Sequence, residues 1–90
     1  MGEIQESAFV VYPVPNNGLF TVTVQYPVET TFSIMIYNTL GSKILEYNDL
    51  RTIHHKYQRT INLQPIPDGI YSIEFYSTEF KVIRKVIVRR

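Results

Sequence analysis

Two prolines near the start of the chain constrain its fold more than any other feature. In segment 12–18, Pro13 and Pro15 fix φ at about −65° and lack a backbone N–H, so the segment can be neither a helix nor a central strand. Gly18 ends the segment and reaches positive φ at no steric cost. An apolar run, 8–12, precedes the segment, and an alternating run follows it. We therefore predict a stiff corner at which the chain passes from one β-sheet of a sandwich to the other.

Alternation of apolar and polar residues recurs along the rest of the chain, with turn signals about every 12 residues. This spacing is typical of all-β domains, and no stretch keeps the period of a helix. The predicted strands are 8–12, 19–26, 31–37, 42–47, 57–63, 70–76 and 80–89. Residues 48–56 are polar and irregular, and we expect them to form the longest loop. Gly41 and Gly69 are expected at turns, where glycine supplies positive φ.

The last predicted strand is basic, and its alternation is imperfect. Val82, Val86 and Val88 share one face, but Arg84 falls on the same face. We predict a bulge or bend near Arg84, or a solvent-facing edge there. The last ten residues hold five of the nine basic residues and none of the eight acidic ones. Such an end can bind nucleic acid or an anionic surface, but interleaving with Val and Ile favours a strand with one charged face or a charged edge.

Length and composition limit the class of protein. Ninety residues fit one domain, and we predict a polar leader at 1–7 and the domain at 8–90. The chain is rich in Tyr, Ile and Val, which favour strands, and it has no Cys, so disulfides and thiolate metal sites are excluded. It contains no apolar run long enough to span a membrane and no start typical of a signal peptide.

The search for a catalytic or metal site finds no pattern that predicts one. No serine lies in a nucleophile-elbow context, and there is no glycine-rich phosphate loop. His54 and His55 are adjacent, and on an extended chain adjacent side chains point in opposite directions, so they cannot chelate one ion together without help. Asp49 is the candidate for that help, but solvated loop histidines are the simpler interpretation. Asp68 lies beside Gly69 and is typical of a turn. We predict a protein without catalytic activity, cofactor or metal.

Tyrosines are the remaining candidates for a binding surface. Tyr26 and Tyr71 fall on the core face of their strands, and Tyr71 follows a corner that its hydroxyl could tie to the backbone. Tyr37 and Tyr76 fall on the outer face. They could form a small aromatic platform, although cross-strand packing is the simpler interpretation.

Four motifs, taken in order, resemble the C-terminal sorting domains of the type IX secretion system. Segment 12–20, YPVPNNGLF, is similar to the opening Y-P-N-P-x-x-G-x-F of that family, with Val14 in place of Asn. Segment 38–44, NTLGSKI, resembles its central N-x-x-G-x-x-V stretch, and segment 66–71, IPDGIY, its L-P-x-G-x-Y corner. Segment 85–89, KVIVR, resembles its closing K-V-x-V strand.

The resemblance implies an immunoglobulin-like β-sandwich of about seven antiparallel strands that terminates a longer exported protein. Such a domain is a sorting signal that directs upstream cargo across the outer membrane. The implied partners are a translocon receptor on the periplasmic side and a surface sortase that cuts before the domain, after which the cargo is anchored at the cell surface or released. No cofactor or nucleic acid is implied, and we expect a monomer in isolation.

The expected recognition residues are surface cations near the end of the chain, Lys85, Arg89 and Arg90. The residues expected to shape the motifs and turns are Pro13, Pro15, Gly18, Gly41, Pro67, Gly69 and Tyr71. One alternative is an immunoglobulin-like accessory module of an adhesin or hydrolase that binds carbohydrate or protein through Tyr37 and Tyr76. Another is an assembly protein that polymerises through its open sheet edges.

Overall fold

The computed structural model describes residues 9–64 and 66–89, and these form a sandwich of seven antiparallel strands. The strands are β1 (Phe9–Tyr12), β2 (Leu19–Gln25), β3 (Thr31–Tyr37), β4 (Lys43–Arg51), β5 (Lys56–Asn62), β6 (Gly69–Tyr76) and β7 (Lys81–Val88). One sheet has the order β1-β2-β5 and the other the order β4-β3-β6-β7. The fold is consistent with an immunoglobulin-like sandwich, as the sequence predicts. Among the described residues, no helix is long and apolar enough to cross a membrane.

Period-two alternation produces the core. In β2, β3 and β6, every second residue is buried between the sheets, while its neighbours face outward. The largest fully buried side chains of these three strands are Phe20, Phe75, Ile34, Ile36, Ile73, Val22 and Val24. Phe9 and Phe80 complete an aromatic cluster with Phe75. The centroid of the Phe9 ring lies 5.4 Å from the centroid of the Phe75 ring and 4.9 Å from that of the Phe80 ring. Burial of these rings supplies much of the hydrophobic stabilisation.

The predicted change of sheet at segment 12–18 is wrong. β1 and β2 pair antiparallel in one sheet, with Tyr12 opposite Thr21, so the segment is a loop between neighbouring strands. The loop does reach the other sheet, because Asn16 forms an isolated parallel bridge with Val88. The prolines prevent this contact from extending into a longer strand. The chain instead changes sheet between β2 and β3, between β4 and β5, and between β5 and β6.

The predicted long loop 48–56 is also wrong, because β4 continues to Arg51. Its polar sequence reflects its place at the edge of the sheet, where most of its side chains are exposed. Register shifts against β3 and a positive φ of 58° at Asp49 accommodate the irregular sequence within the strand. The connection to β5 shrinks to a tight turn in which His54 and His55 have φ of 53° and 68°. The two histidines therefore do not have the extended conformation that the sequence analysis assumes.

Arg84 causes no bulge. The β6–β7 register is unbroken from Gly69 opposite Val88 to Tyr76 opposite Lys81, so the predicted bulge or bend is wrong. The alternative prediction of an edge is confirmed, since β7 is the last strand of its sheet. Arg84 lies half-buried on the inner face, where its Nε donates a hydrogen bond to the carbonyl oxygen of Phe9 at 2.9 Å. A long side chain can occupy this position because the open side of the sandwich lets it reach β1.

The register places Phe9 and the end of β7 at opposite ends of a body that measures 40 × 22 × 21 Å. The N-terminal end of the sandwich holds Phe9 and the connections 26–30, 52–55 and 77–80. The C-terminal end holds the end of β7, the loop 13–18, the turn 38–42 and the connection between Asn62 and Gly69. All four family-like motifs therefore meet at the C-terminal end, because each contains residues of these loops or of the end of β7.

A carboxylate closes the N-terminal end of the sandwich. The Glu29 carboxylate accepts hydrogen bonds from the backbone N–H of His54 at 2.9 Å, the N–H of His55 at 3.1 Å and the Thr52 hydroxyl at 2.9 Å. These donors, first the N–H of His55 and then the Thr52 hydroxyl, lower the pKa of Glu29 below its usual value. The ionised form is thus favoured by folding, and it holds the His54–His55 turn against the connection 26–30.

Glu29→Gln is expected to lower the melting temperature at pH 7 by a few degrees, because an amide oxygen is a weaker acceptor for these donors. The folded pKa of Glu29 lies below the unfolded value of 4.5, so its contribution is complete above pH 4.5 and is lost as the pH falls through the folded pKa. The melting temperatures of the wild type and Glu29→Gln should therefore converge in acid. Thermal melts from pH 7 to pH 3 test this, and a difference that is constant with pH would contradict it.

Candidate functional site: the C-terminal end of the sandwich

The backbone of Asn16 extends the sheet at the end of β7. Its N–H donates to the carbonyl oxygen of Ile87 at 2.9 Å, and its carbonyl accepts the N–H of Arg89 at 2.6 Å. These two bonds form the parallel bridge with Val88. Loop 13–18 therefore holds the final residues of the described chain in an extended conformation.

The Asn16 side chain organises the loop itself. It is 7% exposed, its Nδ2 donates to the carbonyl of Pro13 at 2.9 Å, and its Oδ1 accepts the N–H of Gly18 at 2.8 Å. Gly18 has φ of 100°, as expected for a turn glycine, and its carbonyl accepts the N–H of Leu63 at 2.7 Å. One asparagine thus connects the loop to β7, and the glycine that it holds connects the loop to the chain after β5.

Tyr71 confirms the predicted tyrosine corner. It lies on the core face of β6 with 7% exposure, and its hydroxyl donates to the carbonyl of Pro67 at 2.6 Å. A hydrogen bond of this kind contributes a net stabilisation of about 1 kcal/mol. Gly69 has φ of 159°, a positive value that side chains rarely adopt, and a Cβ there would meet the Tyr71 ring at 3.8 Å. The corner therefore combines the Tyr71 hydrogen bond with a backbone position that favours glycine.

The turn after β3 has the left-handed glycine that the sequence predicts. Gly41 has φ of 85°, and its N–H donates to the carbonyl of Asn38 at 3.0 Å. The Asn38 side chain accepts the N–H groups of Leu40 at 2.9 Å and Ser42 at 3.0 Å. Leu40 is 88% exposed at the tip, so the turn presents an apolar side chain to solvent.

The structure places Lys85 and Arg89 on the same surface. Both side chains are exposed and belong to the outward-facing series Lys81, Ile83, Lys85, Ile87 and Arg89. Lys85 lies opposite Ser72 of β6. Within the described residues neither Lys85 nor Arg89 has a salt-bridge partner. Arg90, the third expected recognition residue, lies outside the described residues.

Tyr37 and Tyr76 share the outer face of the larger sheet but do not lie together. Tyr37 is opposite Ser72 and Tyr76 is opposite Ser33, which places them about 13 Å apart along the strands. Met35 and Glu74 lie between them, and the Tyr37 hydroxyl contacts the Met35 sulfur at 3.5 Å. The two rings therefore form no continuous platform.

The histidines have structural surroundings. His54 and His55 form the turn that Glu29 holds, and within the residues that the structure describes no three His, Asp or Glu side chains come together as metal ligands. The predicted absence of a metal site stays a prediction.

The family comparison covers almost the whole of the described domain. The family model of the secretion system C-terminal sorting domain matches residues 10–89. The chain belongs to this family. The matched range includes all seven strands apart from Phe9 and contains the four motifs that converge at the C-terminal end. A comparison with curated proteins gives no match.

As a sorting domain, the chain is a C-terminal signal for type IX secretion. It implies a cargo protein upstream, a secretion system that accepts it, and export across the outer membrane to the cell surface or the extracellular space. An accessory binding module is not favoured.

Asn16 is the main residue of the sorting domain that sequence reasoning missed. The motif Y-P-N-P-x-x-G-x-F leaves its position unspecified, and an asparagine two residues before a glycine indicates only a turn. The residue type nevertheless indicates a possible role, because the Asn side chain can accept a hydrogen bond from the N–H two residues later while it donates one to another carbonyl. The partner strand, however, lies more than 70 positions away in the sequence.

Proposed function

We propose that the type IX translocon, on the translocon's periplasmic side, recognises the C-terminal end of the sandwich. The cargo extends from the opposite end of the sandwich. The observation that carries this proposal is the Asn16 bridge, which fixes the motif loop 13–18 to the end of β7. A receptor that contacts this end would meet the loop and the basic strand as one rigid surface. The role is non-catalytic.

The shape of the domain supports the proposal. Phe9 and the end of β7 lie at opposite ends of a body 40 Å long, so an upstream cargo would not cover the C-terminal end. A sortase that cuts before the domain would act at the N-terminal end, on chain that precedes β1. Recognition and cleavage are thereby separated in space.

The cations that we propose for recognition are Lys85, Arg89 and Arg90. Lys85 and Arg89 are exposed, and within the described residues they pair with no carboxylate, so a receptor would not have to break an ion pair to bind them. Each charge-assisted contact to a receptor carboxylate would contribute about 1.5–3 kcal/mol. The Arg89 backbone N–H bonds Asn16, so a substitution tests the charge more cleanly than a truncation does.

The test is export of a reporter fused upstream of the domain. We expect Lys85→Gln/Arg89→Gln to leave the melting temperature nearly unchanged, since surface charge changes alter stability by about 0.5 kcal/mol or less. The reporter should nevertheless accumulate in the periplasm. The matched control, Arg51→Gln/Lys56→Gln, removes two exposed cations at the N-terminal end and should be exported normally. Arg90→Gln is then added to the first variant, and normal export of the resulting folded triple variant would refute the proposed role of these cations.

A further inference from the structure

The edge of β7 presents main-chain groups that point away from β6. The carbonyl of Ile87 and the N–H of Arg89 bond Asn16 and so point to the open side of the sheet. Main-chain direction alternates along a strand, and the β6–β7 register is unbroken. The N–H and C=O groups of Ile83 and Lys85 therefore point to the same side. Within the described residues no strand other than β6 pairs with β7 between Lys81 and Val86.

This edge differs from the other three edges of the sandwich. In the described part of the chain β1 spans four residues, Phe9–Tyr12, and Pro13 follows it. β4 is interrupted by register shifts and by the positive φ of Asp49, which hinder regular pairing. β5 is regular, but its outward side chains are mostly uncharged: Lys56, Gln58, Thr60 and Asn62. Among the described strands, β7 alone combines a long regular edge with repeated charge.

The outward side chains of β7 alternate between basic and apolar. Lys81, Lys85 and Arg89 are separated by Ile83, which is 55% exposed, and by Ile87. Glu74 is the nearest acid to Lys81, at 3.8 Å, and it leaves the other two cations unneutralised. If β7 paired antiparallel with β7 of a second copy, centred on Ile83 or Lys85, cations would face cations, which destabilises a sheet. These two registers are therefore disfavoured for a second copy, and a register centred on Arg84 would place Lys85 opposite Ile83, with no carboxylate to pair with.

We infer that β7 is extended in its sheet by an added strand of an acidic partner, whose outward side chains alternate acidic and apolar. Acidic residues would lie opposite Lys81 and Lys85, and an apolar residue opposite Ile83. The added strand would end before Ile87 and Arg89, because Asn16 already pairs with that stretch of the edge. The main chain of the partner would bond the N–H of Ile83 and both main-chain groups of Lys85, displacing the 3.4 Å contact of Arg84 Nη1 with the Ile83 carbonyl. This inference rests on the proposed function, for which it names the chemistry of the receptor segment.

A synthetic peptide tests the inference directly. The probe is a seven-residue peptide of alternating pattern, Thr-Glu-Thr-Val-Thr-Glu-Thr, with blocked ends and a fluorophore, added to the purified domain. It is short enough to pair with β7 without reaching the stretch that Asn16 covers. We expect saturable binding by fluorescence anisotropy, weakening with salt, and slower hydrogen exchange at the amides of Ile83 and Lys85. A peptide with Lys in place of Glu should not bind. Absence of binding by the acidic peptide, or equal binding by the Lys peptide, would overturn the inference.

Edge prolines separate strand addition from simple charge attraction. Ile83→Pro removes one edge donor that β6 does not use, and we expect at least about tenfold weaker peptide binding, or 1.4 kcal/mol. Gln58→Pro is the matched control, because the N–H of Gln58 points to the open edge of β5 and its loss should leave peptide binding unchanged. Thermal melts establish that both variants fold, and equal peptide binding by the two folded variants would refute strand addition.

Export of the same variants distinguishes this inference from the proposed function. Export of the Gln58→Pro fusion with periplasmic retention of the folded Ile83→Pro fusion would support both. Normal export of the Ile83→Pro fusion would refute strand addition on β7 and leave the sorting function intact. Failure of the wild-type fusion to be exported would refute the sorting function itself.

Discussion

Replacing Asn16 with alanine is expected to lower the free energy of unfolding by about 2–4 kcal/mol, although the position lies in a loop. The substitution removes the acceptor of the Gly18 N–H, which lies in buried surroundings, and the donor to the Pro13 carbonyl. A buried donor left without a partner costs about 1–3 kcal/mol. The backbone bonds of Asn16 to Ile87 and Arg89 depend on the same loop conformation, so the end of β7 should loosen as well.

Urea denaturation measures the stability, and hydrogen exchange of the Arg89 amide reports whether the bridge persists. Asn17→Ala is the matched control: Asn17 is exposed and its side chain accepts only the Leu19 N–H, at 3.2 Å, so its loss should cost less than 1 kcal/mol. If recognition requires a fixed C-terminal end, a reporter fused to the Asn16→Ala domain should also accumulate in the periplasm, under conditions in which the variant is folded. Equal stability of the two variants would show that the side chain of Asn16 does not organise the loop.

Local patterns in the sequence predicted the strands, the core face and the turns. Alternation within β2, β3 and β6 was sufficient because each strand has one buried face, and the buried residues follow that alternation. Gly18 and Gly41 have the positive φ expected of turn glycines, and Tyr71 makes the expected backbone bond. For the two turns and the tyrosine corner, the stabilising partner lies within a few residues, so its chemistry is visible in the local sequence.

The errors concern contacts between residues that are distant in sequence. The prolines of loop 13–18 indicated a break but not its direction, which depends on the bridge from Asn16 to β7. Residues 48–51 appeared to be a loop because an edge strand needs no apolar alternation on its exposed positions. Arg84 was expected to disturb β7, whereas the Phe9 carbonyl satisfies it on the inner face. None of these partners is specified by spacing within a short window.

The largest loss of stability is expected from Phe9→Ala, about 3–5 kcal/mol, which is a large share of the 5–15 kcal/mol typical of small domains. Phe9 is the first described residue, yet it is only 1% exposed. Its ring packs against Phe75 and Phe80 of the facing sheet and lies 6.4 Å from the Tyr26 ring. Removal of the ring would leave a cavity at the N-terminal end, beside the rings of Phe75, Phe80 and Tyr26.

Thermal melting of Phe9→Ala should show a midpoint lower by more than about 12 °C, since 1 kcal/mol corresponds to at least 4 °C in a domain of this size. Val10→Ala is the control from the same strand, because Val10 points outward and is 40% exposed, and its truncation should cost about 0.5 kcal/mol. A small loss for Phe9→Ala would mean that β1 is not part of the cooperative core. The proposed separation of the recognition surface from the cargo requires a large loss of stability for Phe9→Ala. It requires Phe9 to be packed into the core at the N-terminal end of the sandwich.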